Sequence, residues 1–497
     1  MRRRQARLYE TAPDTRFWRL RGRLSRPVSI QSLVALRILF GLILVWDWWR
    51  YERYDRIDRY YVHTEFTFPY FGLDFIQPLP DPWIHWAWAV VGLSAFLVMI
   101  GAFYRVAIVT FILSFGYFFL LDRTQYLNHN YMVLLYAALL AVSPANRAFS
   151  VDARLRPHIR TLTIPYWPVA AVRLQTEIIL VYAGIVKITD DWLRGEPLRM
   201  WMHARMDEIP LAQIFQWDWV LMSAAIGVVV LHVVGAPLLL WRRSRLAVFL
   251  IYTAFHVTNS VMFNIGIFPW LTIAVTLIFF EPDWPQRLAR RFLGLFEELP
   301  PPPRLRPDAP IPRLGTAALA GLALWFAVQL ALPMRQALFP NLVGWTGDGH
   351  RFSWRMRIYD RDAQGYFRVV SPSGGSWAVE PQELLSRRQA RNVLTRPDLI
   401  YDFAQLLEEL SRRRGLSDVQ VYAHIRKSLN GRPMQDYVDS SVDLTEARYN
   451  VWGPDDWILP LESRAAEGRI AAWWPPLPLQ KPAADPPERQ VAMEGGN

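Results

Sequence analysis

Residues 84–121 read IHWAWAVVGLSAFLVMIGAFYRVAIVTFILSFGYFFLL, which is two long apolar runs that meet at Tyr104 and Arg105. A helix needs about 20 mostly apolar residues to cross a bilayer. Each run approaches this length, and the junction between them predicts a tight turn between two membrane helices. Similar runs recur along the chain, so this stretch decides the fold class, which is that of a polytopic membrane protein.

Seven further apolar runs lie between residues 28 and 334, and three of the nine runs are short or interrupted. The sequence therefore predicts an all-α bundle of about nine transmembrane helices. They lie at residues 28–48, 84–103, 105–121, 129–145, 165–187, 218–241, 245–263, 264–281 and 314–334.

The arginines orient this bundle. With nine spans and a cytoplasmic N-terminus, the cytoplasmic segments hold 23 arginines and the opposite loops hold eight. Positive charge collects on the cytoplasmic side of membrane proteins. The sequence therefore predicts a cytoplasmic N-terminus and places the region after Pro333 outside. The net charge of +11 is then a membrane signal, and no nucleic acid is expected as a partner.

Beyond the spans, the chain divides into polar parts. Alternating residues predict a hairpin of Arg351–Asp360 with Gln364–Val370, and residues 398–413 predict an amphipathic helix. The predicted parts are a basic cytoplasmic arm at 1–27, a transmembrane catalytic bundle at 28–334, an extracytoplasmic α+β domain at 335–470 and a disordered tail at 471–497.

Several kinds of chemistry are excluded or disfavoured by what the sequence lacks. It contains no cysteine, which excludes disulfides, thiolate metal sites and thiol nucleophiles. It shows no histidine pair at the spacing of helical metal ligands and no phosphate-binding glycine loop. We therefore expect no metal.

Lysine usage singles out one residue. Of the 55 basic residues, only Lys187, Lys427 and Lys481 are lysines. Lys187 ends the fifth span, at a depth where charge is costly. Arginine keeps its proton in proteins, whereas burial lowers the pKa of a lysine and can leave a neutral amine. Lys187 is therefore a candidate base, and the alternative is an interfacial lysine that pairs with Asp190 or Asp191.

Other polar residues lie at the predicted level of Lys187. His129 is at the outer start of the fourth span, and His256 is in the outer half of the seventh. Polar groups at such depth usually face the bundle interior or a cavity, although interhelical hydrogen bonding is the alternative. The accompanying amides are Asn128, Asn130, Asn259 and Asn264.

Five segments of the chain occur in a specific order. They are Leu36–Gly41, Phe119–Gln125 with Asn128-His129-Asn130, Tyr182–Trp192, Phe255–Phe268 and Glu281–Pro285. Together these segments resemble the vitamin K-dependent gamma-glutamyl carboxylase family. The resemblance extends over residues 24 to 460, and the family is related to the horizontally transferred transmembrane domain family.

The resemblance implies a reaction that uses reduced vitamin K, oxygen and carbon dioxide. A lysine deprotonates the naphthohydroquinone, and after oxygen adds, a strong alkoxide base becomes the 2,3-epoxide as it removes a γ-proton from a glutamate. The carbanion takes up carbon dioxide. The family's base falls on Lys187, and its functional histidines fall on His129 and His256. The implied partners are membrane lipid, a membrane quinol and a glutamate-containing protein.

Two departures concern carboxylation. Tyr359 stands where the family enzymes carry a histidine, so it is a candidate substrate-binding residue of altered chemistry. The chain also stops soon after the region where the animal enzymes continue. We therefore expect carboxylation to be weak or absent. The alternatives are a quinol epoxidase or oxygenase without carboxylation, and a non-catalytic quinone- or lipid-binding protein or a transporter.

Overall fold

The computed structural model describes residues 16–263, 265–293, 314–339 and 341–462. Within these residues, a helix lies in each predicted membrane segment. In chain order the helices are α1 Gln31–Arg53, α2 Trp83–Ile100, α3 Tyr104–Leu121, α4 Asn128–Val142, α5 Trp167–Ile185, α6 Asp218–Val230, α7 Arg245–Met262, α8 Phe268–Thr276 and α9 Thr316–Met334. The predicted disordered tail and residues 1–15 of the predicted arm lie outside the described residues.

The number of spans is lower than nine by the criterion of length and apolarity. In the described part of the chain, six helices are long and apolar enough to cross a membrane, namely α1, α2, α3, α5, α6 with its continuation to Leu238, and α9. α4 and α8 are apolar but shorter. α7 has sufficient length, but Arg245, His256 and Asn259 make it more polar. The count of nine is therefore not confirmed.

The junction between α2 and α3 is a close turn, as the sequence predicts. Gly101 has φ 66°, a left-handed conformation that favours glycine. A Cβ at this position would lie 2.5 Å from the Cβ of Ser150 and 2.7 Å from the guanidinium of Arg37. That guanidinium donates to the Ala145 carbonyl at 2.9 Å. The turn is thereby fixed to the loop that follows α4.

The C-terminal region is the α+β unit that the sequence predicts. Its four antiparallel strands have the order β4-β3-β5-β6 when β1 and β2 denote the short strands Pro27–Ser29 and Thr163–Pro165 of the bundle. Two helices, α10 and α11, pack beside the sheet. The elements are β3 Arg361–Val370, β4 Ser376–Val379, α10 Arg387–Val393, α11 Pro397–Arg413, β5 Gln420–Leu429 and β6 Gln435–Asp436.

The predicted hairpin of Arg351–Asp360 with Gln364–Val370 is wrong. Residues 351–360 form turns rather than a strand, and β3 pairs with β4 across the turn at residues 371–375. Phe352, Trp354 and Arg357 have φ between 48° and 61°, which no regular strand contains. The apolar side chains of this segment are buried without forming a strand, since Trp354 and Ile358 are 0% and 3% exposed.

Residues 341–462, called the outer unit after their predicted position, dock on loops at one end of the bundle. Arg123, between α3 and α4, forms an ion pair with Asp398 at 3.1 Å. Asp191, just after α5, forms an ion pair with Arg432 at 2.6 Å. These contacts fix the outer unit over the ends of α4 and α5, where the candidate residues lie.

The predicted orientation can be tested directly, because the chain has no cysteine of its own. Both His158, in the loop after α4, and Ser373, in the β3–β4 turn, are exposed. We expect a membrane-impermeant maleimide to label Ser373→Cys in intact cells and His158→Cys only after the membrane is opened. The reverse labelling pattern would contradict a cytoplasmic N-terminus.

The outer unit should also show a pH-dependent stability. One carboxylate oxygen of Asp455 accepts a hydrogen bond from the backbone N–H of Asn450 at 2.8 Å, and the other oxygen is buried without a hydrogen-bond partner. Burial raises the pKa of Asp455 from 3.8 to about 7. The folded state therefore holds a proton that the unfolded chain releases, and this contribution to stability is lost as the pH rises towards 7.

We therefore expect Asp455→Asn to raise the melting temperature more at pH 8 than at pH 5, and to leave it nearly unchanged only below pH 3.8, where both states hold the proton. Asparagine keeps the acceptor for Asn450 without the charge. The exposed neighbour Asp456 provides the control, because its charge is only a minor cause of the raised pKa, and Asp456→Asn should show a much smaller difference between the two pH values. Equal effects of Asp455→Asn at both pH values would refute the argument.

Candidate functional site

A cavity of about 850 Å³ lies between the membrane helices and the outer unit. Residues from α1, α4, α6, α7 and the loop 350–361 form its walls. Five of the residues that the sequence predicts line it, namely Lys187, His129, Asn128, Asn259 and Tyr359. Residues distant in sequence thus meet at one site.

Lys187 lies just after α5 and is 6% exposed. Its Nζ donates to the Ala183 carbonyl at 3.0 Å and to the Met356 carbonyl at 3.1 Å. A neutral amine has two N–H groups and one lone pair, so these two carbonyls can use both of its donors. Met356 belongs to the outer unit, which means that the amine is held between the bundle and that unit.

The structure does not support the pairing of Lys187 with a neighbouring aspartate. Among the described residues, no ion pair involves Lys187, and Asp191 pairs with Arg432 instead. The Trp192 ring lies 5.3 Å from Nζ and covers one side of it. The side chain is therefore enclosed rather than extended towards lipid headgroups.

His129 lies in the first turn of α4, at another wall of the cavity. A Cβ on Gly266 would lie 3.7 Å from its Nε2 and 3.5 Å from Nη1 of Arg50. His129 and Arg50 therefore border the same corner. Neighbouring Asn128 donates to the Arg355 carbonyl at 3.0 Å, which ties the start of α4 to the outer unit.

His256 is placed differently from the prediction. It is 1% exposed, is not among the residues that line the cavity, and neither ring nitrogen has a hydrogen-bond partner. Its ring stacks on Tyr252 at 6.0 Å and meets Phe255 and Phe268 edge to face. Since Phe255 and Phe268 do line the cavity, His256 lies one layer behind the wall.

The predicted amides also divide. Asn259 lines the cavity and donates to the Phe255 carbonyl at 3.0 Å. Asn130 instead faces a small pocket among aromatic residues that include Trp88. Asn264 lies outside the described residues. In the described ranges, no group of three or more histidine, aspartate or glutamate side chains could hold a metal ion.

Comparison with known families agrees with this architecture. The family model described as HTTM domain matches residues 25–284, and the one described as vitamin K-dependent gamma-carboxylase, lumenal domain, matches residues 315–464. The chain belongs to the vitamin K-dependent gamma-glutamyl carboxylase family. No solved structure matches the chain. The second match begins at residue 315, directly before α9, so the lumenal-domain model includes that helix together with the outer unit.

Tyr359, which the resemblance predicts to stand at the position of a histidine, lies in the cavity wall. The Tyr359 hydroxyl accepts a hydrogen bond from Arg355, and the Arg361 guanidinium lies 5.2 Å from its ring. A Cβ on Gly344 would lie 2.5 Å from this ring, so glycine at 344 makes room for it. The tyrosine is thus part of a polar wall.

Arginines that the sequence analysis did not single out line the same cavity. The clearest is Arg396, whose Nε and Nη1 are buried and have no hydrogen-bond partner. Burial, with Arg351 nearby, lowers the pKa of the Arg396 guanidinium to about 9, so it remains charged at neutral pH. The lining arginines are Arg50, Arg56, Arg355, Arg357, Arg361, Arg388, Arg391 and Arg396.

His232 also lines the cavity and was missed by the sequence analysis. It lies in a π-helical segment, Leu231–Gly235, that interrupts the sixth predicted span. A histidine in the middle of an otherwise apolar span was the available signal. Whether this histidine lines the cavity depends on which neighbouring helix its side chain faces, and the periodicity of the sequence does not predict the neighbouring helix.

Proposed function

We propose that this membrane protein oxidises reduced vitamin K with oxygen to the 2,3-epoxide and couples this to γ-carboxylation of glutamate in a protein substrate. When bound, the quinol supplies the strong base that removes the γ-proton. The chain's own contribution begins at Lys187, which we propose as the base that takes the proton of the quinol hydroxyl.

The geometry of Lys187 carries this proposal. Two backbone carbonyls can use both N–H groups of a neutral amine, and the lone pair is then left for a ligand in the cavity. A backbone carbonyl cannot neutralise an ammonium as a carboxylate would, so the site favours the form that can act as a base. Aromatic lining residues such as Trp192, Phe255 and Phe263 suit a flat naphthoquinone ring.

The arginines that line the cavity support the carboxylation step of the proposed reaction. A buried, unpartnered guanidinium such as that of Arg396 costs free energy unless an anion pairs with it. Arginine binds carboxylates through two parallel hydrogen bonds. We propose that a glutamate carboxylate takes this place. The arginines thus favour carboxylation where the tyrosine at 359 disfavours it.

The deciding assay uses the purified chain in lipid nanodiscs with reduced vitamin K, oxygen, labelled carbon dioxide and a glutamate peptide. Formation of epoxide together with labelled peptide would support the full reaction. Epoxide without labelled peptide would favour the alternative of a quinol epoxidase or oxygenase that does not carboxylate. Quinone binding without either product would leave a non-catalytic binder.

A further inference from the structure

His232 occupies an unusual piece of helix. A π-helical turn shifts the helix by one residue and often marks a functional site. This one is supported from α7, because the Tyr252 hydroxyl donates to the Leu231 carbonyl at 2.8 Å. The rings of Tyr252 and Phe255 lie 5.5 and 5.4 Å from the imidazole and meet it edge to face. The imidazole orientation is therefore fixed by packing.

A hydrogen bond also fixes its tautomer. Nδ1 of His232 lies 2.8 Å from the Val228 carbonyl oxygen. A carbonyl can only accept, so Nδ1 carries the hydrogen. In the neutral ring, Nε2 then has a free lone pair and can accept a proton or a hydrogen bond.

The residue is packed against the turn that carries Lys187. Gly184, three residues before Lys187, allows this contact, because a Cβ there would lie 2.7 Å from the Cβ of His232. Both side chains line the same cavity. His232 is thus a neutral proton acceptor beside the candidate base.

Lys187 needs such an acceptor once it has taken a proton. Its ammonium form has a third N–H beyond the two that the carbonyls of Ala183 and Met356 use. The nearby charge of Arg355 disfavours that form. In the part of the chain that the structure describes, Tyr252 and His256 on α7 are the other titratable groups beside His232, and the carboxylate of Glu177 on α5 acts on Tyr252 rather than on His232 itself.

We propose that, once the deprotonated quinol oxygen has left the amine, Nε2 of His232 accepts this third N–H and then takes up the proton, which returns Lys187 to the neutral amine. The inference rests on the proposed function. The quinol O–H bond breaks as an N–H bond forms on Lys187, and the same proton then moves to Nε2. The ring keeps its Nδ1–H bond to Val228, no electrons are transferred, and His232 acts through Lys187 as a positioning residue.

The scarcity of lysine allows a test that does not depend on activity. Lysine labelled with ¹⁵N at Nζ gives only three signals in this chain, and Lys427→Arg and Lys481→Arg assign two of them. The Nζ signal of Lys187 then reports the pH at which the amine becomes neutral. We expect His232→Phe to lower that pH by about one unit, the scale of one hydrogen bond to a charged group. His232→Gln keeps an acceptor and should change it far less.

Turnover separates acceptance of the hydrogen bond from uptake of the proton. Neither phenylalanine nor glutamine can take a proton, so both variants should lower kcat for epoxidation at least about tenfold, with little change in KM for the quinol. Tyr252→Phe is the control, because it removes the hydroxyl bonded to Leu231 and leaves the imidazole intact. It should lower the melting temperature and leave the Lys187 titration unchanged.

Three results would overturn the proposal. They are an unchanged Lys187 titration in His232→Phe, an equal shift in Tyr252→Phe, and a normal kcat in His232→Gln. The last result holds even if His232→Phe does not fold. If the titration shifts as expected but the unaltered chain forms no epoxide, the His232–Lys187 contact stands and the proposed function fails.

Discussion

Lys187→Arg should lower the rate of quinol epoxidation at least about a hundredfold, because a general base typically contributes 10²–10⁴ in rate. The substitution keeps the positive charge and the approximate length of the side chain. Guanidinium does not release its proton in proteins, so base function is lost. Lys187→Ala should lose the activity as well, and a small added amine should restore part of it if the cavity admits the amine.

The other buried lysine supplies a matched control. Lys427 is 0% exposed, and its Nζ also donates to two backbone carbonyls, those of Trp345 and Thr395. It lies in β5 and does not itself line the cavity, although Thr395, to which it bonds, does. Lys427→Arg should therefore lower the melting temperature while turnover per folded molecule is retained. Near-normal turnover in Lys187→Arg would show that position 187 needs only a charge, and the base would then have to be sought at His129.

Arg396→Met should separate the two halves of the reaction. If Arg396 pairs with a glutamate carboxylate, its loss should lower kcat/KM for carboxylation by about 10- to 100-fold, as expected for a charged hydrogen bond. Epoxidation needs the quinol and Lys187, so it should continue. The ratio of epoxide to carboxylated peptide should therefore rise.

The control for this variant lies on the neighbouring helix. Arg387 begins α10, is exposed and does not line the cavity, so Arg387→Met removes the same charge without touching the site. We expect it to leave both products unchanged. A parallel loss of epoxide and carboxylated peptide in Arg396→Met would indicate damage to the whole site and would argue against a carboxylate subsite.

The positions of the helices were open to prediction because the bilayer imposes a simple rule on sequence. Apolar runs of sufficient length correspond to the six candidate spans, and the amphipathic pattern at 398–413 became α11. The same rule is weaker for α7, because Arg245, His256 and Asn259 lower the apolarity of this helix. The predicted hairpin failed for a different reason. Trp354 and Ile358 are buried within turns, so apolar residues in this segment do not mark a strand.

The site was predicted only in part. Lys187 stood out because an arginine-rich chain keeps three lysines, and its position at a span end follows from hydropathy. The partner carbonyl of Met356 lies 169 residues away, so no local pattern could indicate it. His256 shows the opposite case, in which depth was predicted but the helix face was not, and Phe255 and Phe268 separate it from the cavity.

The sequence by itself determined that this chain is a membrane protein, the approximate places of its helices and the family to which it belongs, because apolarity, charge and motif order are local or linear properties. Tertiary structure decided which polar groups meet. The π-helical segment places His232 in the cavity that Lys187 lines, glycine at 184 permits the close packing, and the outer unit supplies the Met356 carbonyl and most of the arginines. These arrangements depend on how separate elements pack against one another, which linear patterns do not record.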